Sequence, residues 1–277
     1  MLTENQEKIK GFLEGGHSQI EGWFFPLDHF AFFECFQAQN KIGVTGASVE
    51  VGVWKGKSLT FMSLLRKAQE KLIGFDLFAP GHLEETKKNL ATQGHDNLVF
   101  YSQGLTSELS VESLSALIDQ PIRFLHIDAG HEYHEVLEQL EIFTPYLLDD
   151  AIIAMDDFQD REFPGVAAAV LDFSERDRPR RFVPFLAGAN KMYMCSPHRA
   201  GVFQKMLLNT AIFRDKCRLT RVKDYSVLIL GSKLPVPSVK LDEALTQLNF
   251  PAHAEQLSTN EAAKKYAQIT FGMGLDE

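Results

Sequence analysis

Short β-rich runs alternate with amphipathic helical stretches over most of this chain, and that alternation restricts its fold more than any other feature. From Ala47 onward the β-rich runs are SVEVGV, LIGFDL, NLVFYS, IRFLHID, AIIAMDD, RFVPFL and KMYMCS. Between two of them, Val136, Leu140 and Phe143 recur at helical spacing. Such alternation is typical of βαβ units, in which helices cover a parallel sheet. The sequence therefore predicts an α/β fold with a doubly wound, mostly parallel sheet.

The two ends of the chain differ from this alternating core. We expect residues 1–45 to form a helical N-terminal cap, 46–200 the α/β core, and 201–277 a C-terminal appendage with a helix from about Gly201 to Lys216, a strand YSVLILG and a tail, packed on the same domain. The cap contains WFFPLDHFAFFECF, which is too aromatic for the free surface of a monomer. It is expected to form a helical layer on the sheet, or else to cover a binding pocket or contact a second copy in a homodimer.

Composition excludes several classes of partner. The chain has 28 Lys and Arg against 37 Asp and Glu, a net charge of −9, which disfavours binding to nucleic acid or to an anionic membrane. No apolar run is long enough to span a bilayer, and the N-terminus lacks the apolar core of a signal peptide. The 3 cysteines are an odd and widely spaced set, which fits a reducing compartment. We expect a cytoplasmic protein.

A glycine-containing turn follows the first predicted strand, in VEVGVWKGKS. Gly52 and Gly56 would let a ligand approach the backbone beside the N-terminus of the next helix, where Ser58 lies in the first turn. The run from Gly52 to Ser58 is one residue shorter than a phosphate-binding P-loop, and Val51 stands where the first glycine of that loop belongs. This disfavours a nucleoside triphosphatase.

An acidic residue, Asp76, ends the next strand in LIGFD. Doubly wound nucleotide-binding folds commonly place an acid there, on the ribose hydroxyls, so the spacing from Gly52 fits an adenosine ligand. Alternatively, Asp76 only caps the turn that follows the strand.

Three further carboxylates follow two later strands. Asp128 ends IRFLHID, and Asp156 with Asp157 ends AIIAMDD. If these strands are neighbours, the three acids meet at the carboxyl edge of the sheet and repel one another unless a cation neutralises them. Hard oxygen ligands favour Mg²⁺, Mn²⁺ or Ca²⁺ over Zn²⁺. In the alternative interpretation, one of the paired acids caps the next helix and no metal binds.

Taken together, VEVGVWKGKS, LIGFD, FLHIDAGHEYHEV and AIIAMDDF resemble the class I S-adenosylmethionine-dependent methyltransferases. The likeness is to the small-molecule O-methyltransferases related to macrocin and cephalosporin-type enzymes. It covers roughly residues 20 to 200, and Glu21-Gly22-Trp23 also resembles the N-terminal segment of that group. The resemblance implies a Rossmann-like core.

The resemblance also implies which residues bind the cofactor. They are Glu50, Gly52 and Gly56 around the methionine part, Asp76 on the ribose, and Gln103 and Gly104 beside the adenine, with Ser58 and Asp128 as further cofactor-binding residues. After Gly104, Leu105 occupies a place that is often polar in the family.

By the same matching, Asp128, Asp156 and Asp157 are the expected ligands of Mg²⁺ or another hard divalent cation. Many relatives have an acid two residues after the first of these, where this chain has Gly130. That leaves His131 as the best side-chain base, three residues after Asp128 and with an unperturbed pKa near neutrality. Otherwise His131 is a structural histidine at a helix start.

The expected activity is transfer of the methyl group from S-adenosylmethionine to a hydroxyl of a small molecule, with metal assistance. A metal-independent N- or C-methyltransferase would keep the glycine turn and Asp76 but make the acidic group structural. A non-catalytic adenosine-binding module would keep the pocket without turnover. An NAD-linked oxidoreductase explains Asp76 but not the grouping of Asp128 with Asp156.

Overall fold

The computed structural model describes residues 3–93, 99–104, 106–176, 180–214 and 217–231. The strands there are β1 (Ala47–Val51), β2 (Leu72–Asp76), β3 (Val99–Gln103), β4 (Ile122–Ile127), β5 (Leu147–Met155), β6 (Val183–Gly188), β7 (Lys191–Cys195), β8 (Cys217–Val222) and β9 (Tyr225–Leu230). The helices are α1 (Glu4–Glu14), α2 (Pro26–Lys41), α3 (Lys57–Leu65), α4 (His82–Ala91), α5 (Val111–Leu117), α6 (Tyr133–Phe143), α7 (Pro164–Arg176), α8 (Pro197–Leu208) and α9 (Ala211–Arg214). Within these ranges, no helix has both the length and the apolar character of a membrane span.

All the strands belong to one sheet, in the order β3-β2-β1-β4-β5-β7-β6-β9-β8. The first five of that order pair in parallel. The order reverses between β1 and β4, and such a reversal opens a crevice at the carboxyl ends of the strands. The predicted doubly wound, mostly parallel α/β sheet is confirmed.

The hairpin of β6 and β7 departs from the expected βαβ pattern. β7 pairs antiparallel with both β5 and β6, and the two hairpin strands are joined by a tight turn in which Ala189 has φ of +48°. Met192 lies opposite Met155, the last residue of β5. Lys191, which begins β7, therefore lies next to the end of β5. The hairpin therefore brings Lys191 to the carboxyl edge of the sheet, which the alternation of strands and helices does not predict.

The C-terminal region extends the same sheet. α8 ends at Leu208, so the predicted helix to Lys216 is too long, and β8 was not predicted. The predicted strand YSVLILG is β9, which pairs in parallel with β6 and antiparallel with β8. The rest of the expected appendage, residues 232–277, lies outside the described residues.

Helices cover both faces of the sheet, and the Phe-rich segment belongs to one of these layers. The rings of Phe32 and Phe36, on α2, lie 4.9 Å and 4.6 Å from the ring of Phe124 on β4. Both are fully buried, so this segment forms a helical layer on the sheet. Trp23 and Phe25, just before α2, remain 74% and 49% exposed.

Candidate active site

The turn after β1 is held close to β2 and β4 by backbone contacts. Gly52 has φ of +87°, and its amide donates to the carbonyl of Phe75 at 2.8 Å. A Cβ at Gly52 would lie 1.7 Å from the carbonyl oxygen of Asp128, so only glycine fits there. Gly56 has φ of +79°, and its Cβ would lie 2.7 Å from a methyl carbon of Thr86. Both glycines picked out in the sequence are therefore required for the shape of this turn.

Asp76, at the end of β2, holds the glycine turn through its carboxylate. Its Oδ2 accepts hydrogen bonds from the amides of Val53 and Trp54 at 2.6 Å and 2.7 Å. Its Oδ1 accepts one from the amide of Phe78 at 2.5 Å. The side chain thus caps its own turn and fixes the neighbouring one. Since a carboxylate offers about four acceptor positions, Asp76 retains capacity for a further donor such as a ribose hydroxyl.

The other predicted cofactor positions lie around this turn. Ser58, in the first turn of α3, is 8% exposed. Gly104, with φ of +128°, donates its amide to the carbonyl of Asp76 at 3.0 Å. Gln103 pairs with Asp76 across β3 and β2, but its side chain and residue 105 lie outside the described residues. The adenine-side positions are therefore adjacent to Asp76 through the backbone.

Glu50 lies inside the protein, not on the open edge of the sheet. Its carboxylate Oε1 is 2.7 Å from Nδ1 of His126, which is opposite it on β4, and both side chains are fully buried. Oε2 of Glu50 and Nε2 of His126 have no hydrogen-bond partner. Glu50 was predicted to bind the cofactor. Because no part of its side chain is exposed, it could influence a cofactor only through the turn above it.

The three predicted carboxylates meet at the ends of β4 and β5. The amide of Asp156 donates to the carbonyl of Ile127 at 2.9 Å, so the two strands end side by side. Potential ligand atoms of Asp128, His131 and Asp157 lie within 4.8 Å of one another, as do those of His126, Asp128 and Asp156. Asp157 has φ of +55°, a strained conformation of the kind found at functional sites.

Lys191 is the site residue that the sequence did not reveal. Its Nζ contacts Oδ2 of Asp156 and lies 4.0 Å from Oδ2 of Asp28, and its side chain is 1% exposed. Asp28 is the third residue of α2 and accepts a hydrogen bond from the amide of Phe25 at 3.3 Å. A lysine that opens the otherwise apolar run KMYMCS was the only signal in the sequence.

The buried ammonium of Lys191 lies among three carboxyl groups whose pKa values shift in different directions. Although burial favours the neutral acid, the ammonium of Lys191 and the nearby His126 lower the pKa of Asp156 to about 2. Burial raises the pKa of Asp128 well above its usual range, and the charge of Asp156 adds to that shift. Burial likewise raises the pKa of Asp28 to about 7, against the opposing charge of Lys191. Asp156 therefore has a lowered pKa, whereas its neighbours Asp128 and Asp28 have raised ones.

His131 lies beside Asp157 in a more open position. Its Nε2 is 2.8 Å from Oδ2 of Asp157, and its ring stacks on that of Phe163 with centroids 4.1 Å apart. Oδ1 of Asp157 accepts from the side-chain amide of Asn190 at 2.6 Å. The hydrogen bond to Asp157 raises the pKa of His131, and partial burial opposes the shift. A Cβ at Gly130, which precedes it, would lie 2.5 Å from Oε2 and 2.9 Å from Cβ of Glu135, so a side chain there would require Glu135 to shift.

Part of the chain is similar to a family of known proteins. The profile of a family described as a methyltransferase domain matches residues 49–158. An uncharacterised protein of Acanthamoeba polyphaga mimivirus is 30% identical over 125 residues, which are 44% of this chain and 56% of that protein. The chain thus spans about half the length of this relative.

Two solved structures share the fold. The first is CalS11, a TDP-rhamnose 3′-O-methyltransferase of calicheamicin biosynthesis, with a TM-score of 0.51 and 19% identity over 69% of this chain and 93% of that one. The second is the O-methyltransferase NovP, with a TM-score of 0.50 and 16% identity over 61% of this chain and 78% of that one. The matched segment 49–158 contains the glycine turn, Asp76 and all three carboxylates. The chain therefore has the fold of these solved methyltransferases, and its segment 49–158 resembles a methyltransferase domain.

Proposed function

We propose that the protein transfers the methyl group of S-adenosylmethionine to a hydroxyl of a small molecule. The observation that carries this proposal is the meeting of Asp128, Asp157 and His131 at the same sheet edge as the glycine turn and Asp76. The first group of residues suits activation of a hydroxyl, and the second suits an adenosine ligand. The methyl group is already activated in the cofactor, so the protein supplies positioning and charge.

The cofactor's place is proposed from the backbone around the turn after β1. Gly52 and Gly56 leave the backbone without side chains beside the N-terminus of α3, and Asp76 has an acceptor position left for the ribose. Ser58 lies in the first turn of α3, and the amide of Gly104 donates to the carbonyl of Asp76. An adenosine ligand would therefore lie across the ends of β1 and β2.

A divalent cation is proposed at Asp128 and Asp157. Asp156 was predicted as a third ligand, but its Oδ2 already contacts the ammonium of Lys191 and its Oδ1 accepts from the amide of Asp157 at 2.9 Å. The ammonium of Lys191 repels a second positive charge at Asp156, whereas the side-chain amide of Asn190 at Asp157 carries no charge. With Asp156 neutralised by Lys191, two carboxylates are left, and their charge matches one divalent cation. When bound there, such a cation lowers the pKa of an acceptor hydroxyl and orients its oxygen.

His131 is the proposed base. Its hydrogen bond to Asp157 favours the tautomer with the proton on Nε2, which leaves Nδ1 free to accept a proton. The stack on Phe163 fixes the plane of the ring. In the proposed reaction the acceptor oxygen bonds to the methyl carbon as the carbon–sulfur bond breaks, and the hydroxyl proton passes to Nδ1 of His131. The other product is S-adenosylhomocysteine.

Chelation tests the metal, and binding tests the cofactor separately. We expect turnover of a hydroxyl acceptor to be abolished by excess EDTA and restored by Mg²⁺ or Mn²⁺, while calorimetry still detects S-adenosylhomocysteine. Asp157→Asn should weaken activation by the metal, whereas Asp149→Asn, on an exposed part of β5, should not. Full turnover in EDTA contradicts the metal assignment.

One observation favours metal-independent transfer as the second candidate. Lys191 already places a buried positive charge in the acidic group, and burial together with the charge of Asp156 raises the pKa of Asp128. Both effects reduce the repulsion that would otherwise require a cation. In this case activity persists in EDTA, and loss of Lys191 lowers it, since the charge balance then fails.

A further inference from the structure

A pocket of about 440 Å³ lies between the segment that precedes α2 and the start of α3. Its lining includes His17, Trp23, Phe24, Phe25 and Lys57. The sequence motifs assigned no role to His17 or Lys57, and the aromatic segment was expected to cover a pocket only as one alternative. The pocket differs from the carboxylate group in being mainly aromatic with one ammonium.

Trp23 provides a flat aromatic surface at this pocket. Its ring stacks on that of Trp54 with centroids 4.6 Å apart and an angle of 9° between the planes. Trp54 comes from the turn after β1, where its backbone amide donates a hydrogen bond to the carboxylate of Asp76, so this stack ties the pocket to the cofactor turn. Since Trp23 is still 74% exposed, its second face is open to a ligand. Phe25 adds an apolar surface that is 49% exposed.

Lys57 provides the positive charge. Its Nζ donates to the carbonyl of Gly22 at 2.8 Å, and no carboxylate among the described residues lies within ion-pairing distance of it. Glu21, the acidic residue of the lining, is instead paired with Lys55, which also pairs with Glu85. The ammonium of Lys57 is therefore free to meet an anionic group. Partial burial lowers the pKa of Lys57, which shows that water solvates this ammonium incompletely.

Phe24 connects the pocket to the reacting edge. It lines the pocket, its ring centroid is 5.5 Å from Nζ of Lys191, and its ring lies 6.4 Å from that of His126. A single aromatic side chain thus separates the pocket from the buried charges beside Asp156. A ligand in the pocket would therefore lie beside the cofactor turn, with Phe24 between it and the buried charges.

We propose that this pocket binds the methyl acceptor through a planar ring on Trp23 and an anionic group, such as a carboxylate, at Lys57. That the bound molecule is the methyl acceptor rests on the proposed function. That the pocket binds a planar anion does not. Stacking on tryptophan selects a flat ring, and an ammonium that lacks a carboxylate partner selects a negative charge. Because the chain's net charge of −9 repels anions over most of the surface, such a local positive site is a specific recognition element for an anion.

The test compares three probes by calorimetry in the presence of saturating S-adenosylhomocysteine. They are 3,4-dihydroxybenzoate, its uncharged amide, and the saturated 3,4-dihydroxycyclohexanecarboxylate, which keeps the charge but not the planar ring. We expect the aromatic acid to bind at least about tenfold more tightly than either analogue, as for loss of a charged hydrogen bond or of ring stacking. Trp fluorescence gives a second readout, because Trp23 and Trp54 are the only 2 tryptophans of the chain.

Variants locate the binding. Lys57→Met should remove the preference for the acid over the amide, and Trp23→Ala the preference for the planar ring. Lys87→Met and Val111→Ala, at exposed positions on α4 and α5, should change neither preference. Circular dichroism and the affinity for S-adenosylhomocysteine show whether each variant is folded.

The outcomes separate this inference from the proposed function. Tighter binding of the acid that is lost in Lys57→Met supports the pocket, even if no methyl transfer is found, in which case only the proposed function fails. Equal binding of acid and amide, or a preference that survives Lys57→Met, overturns the inference. Competition between the acid and S-adenosylhomocysteine also overturns it, because the pocket would then belong to the cofactor.

Discussion

The ammonium of Lys191 contacts the carboxylate of Asp156, and both side chains are buried where β5 and β7 lie side by side. The pair places a positive charge inside the group of acids that follows β4 and β5. Asp28, from the helical layer above, lies 4.0 Å from the same ammonium. Lys191 therefore links the N-terminal helices, the hairpin and the reaction edge through one charge.

Removal of this ammonium should destabilise the protein strongly. We expect Lys191→Met to lower the free energy of unfolding by about 3–5 kcal/mol, because Asp156 is left charged, buried and unpaired. Urea denaturation at neutral pH measures the change. Lys205→Met, at an exposed position on α8, is the matched control and should change it by less than about 0.5 kcal/mol. Adding Asp156→Asn to Lys191→Met should recover part of the lost free energy of unfolding. A loss below about 1 kcal/mol in Lys191→Met alone would show that the ion pair with Asp156 is not needed for stability.

The carboxylate of Asp76 should be required for cofactor binding. Asp76→Asn removes a charged acceptor that holds the turn amides of Val53 and Trp54. We expect the affinity for S-adenosylhomocysteine to fall by at least about tenfold, as for loss of a hydrogen bond to a charged group. Asp119→Asn, in an exposed ion pair with Lys71, serves as the control. An affinity within about twofold of the wild type would leave Asp76 with a structural role only.

Two glycines with similar positive φ angles distinguish crowding from strain. Gly52 and Gly43 have φ of +87° and +78°, but a Cβ at Gly43 would meet nothing within 4 Å. Gly43→Ala should therefore cost only the strain of the left-handed conformation, about 1–2 kcal/mol. Gly52→Ala should cost at least about 2 kcal/mol more, since the new methyl group displaces the end of β4. Equal melting temperatures for the two variants would contradict the close approach of Gly52 to Asp128.

His131 should set the acidic limb of the pH–rate profile. A base works in its deprotonated form, so the rate falls as the pH drops through its pKa. Asp157 raises the pKa of His131 above its ordinary value of 6.5, which places this limb above that pH. We expect His131→Asn to lower kcat by at least about 100-fold and to remove the limb, with cofactor affinity unchanged.

His134→Asn, an exposed position on α6, provides the control for His131. A rate within about threefold of the wild type in His131→Asn would mean that the proton leaves by another route. A large loss of rate together with weaker metal binding would mean that His131 orients Asp157 instead of accepting the proton.

Glu34 should make the stability depend on pH. Burial on α2 raises its pKa from 4.5 to about 7, and the charge of Lys41 opposes this only in part. Because the folded-state pKa is the higher one, the contribution to stability is complete below about pH 4.5 and is lost as the pH rises through about 7. Glu34→Gln should thus be more stable than the wild type at about pH 8, by on the order of 2–3 kcal/mol, with no gain at about pH 4.5. Thermal unfolding at both pH values tests this, with the exposed Glu138→Gln as control, and an equal effect at both pH values would exclude titration of Glu34.

The sequence alone determined the parallel half of the fold and most of the acidic residues at the carboxyl edge of the sheet. A strand of the sheet needs a short run of β-formers, and parallel strands end at a common edge, so Asp76, Asp128 and Asp156 could be placed together from their positions after such runs. Gly52 and Gly56 were likewise readable, because a turn with φ near +80° requires glycine wherever neighbours crowd it.

Only the tertiary structure decided how the acids are balanced and where the pocket lies. Lys191 reaches Asp156 because β7 runs antiparallel beside β5, and strand direction cannot be inferred from the composition of an apolar run. The stack of Trp23 on Trp54 likewise joins the cap to the glycine turn through packing between distant segments. Patterns along a chain report local conformation, whereas the partner of a buried charge or ring depends on which segments the fold brings into contact.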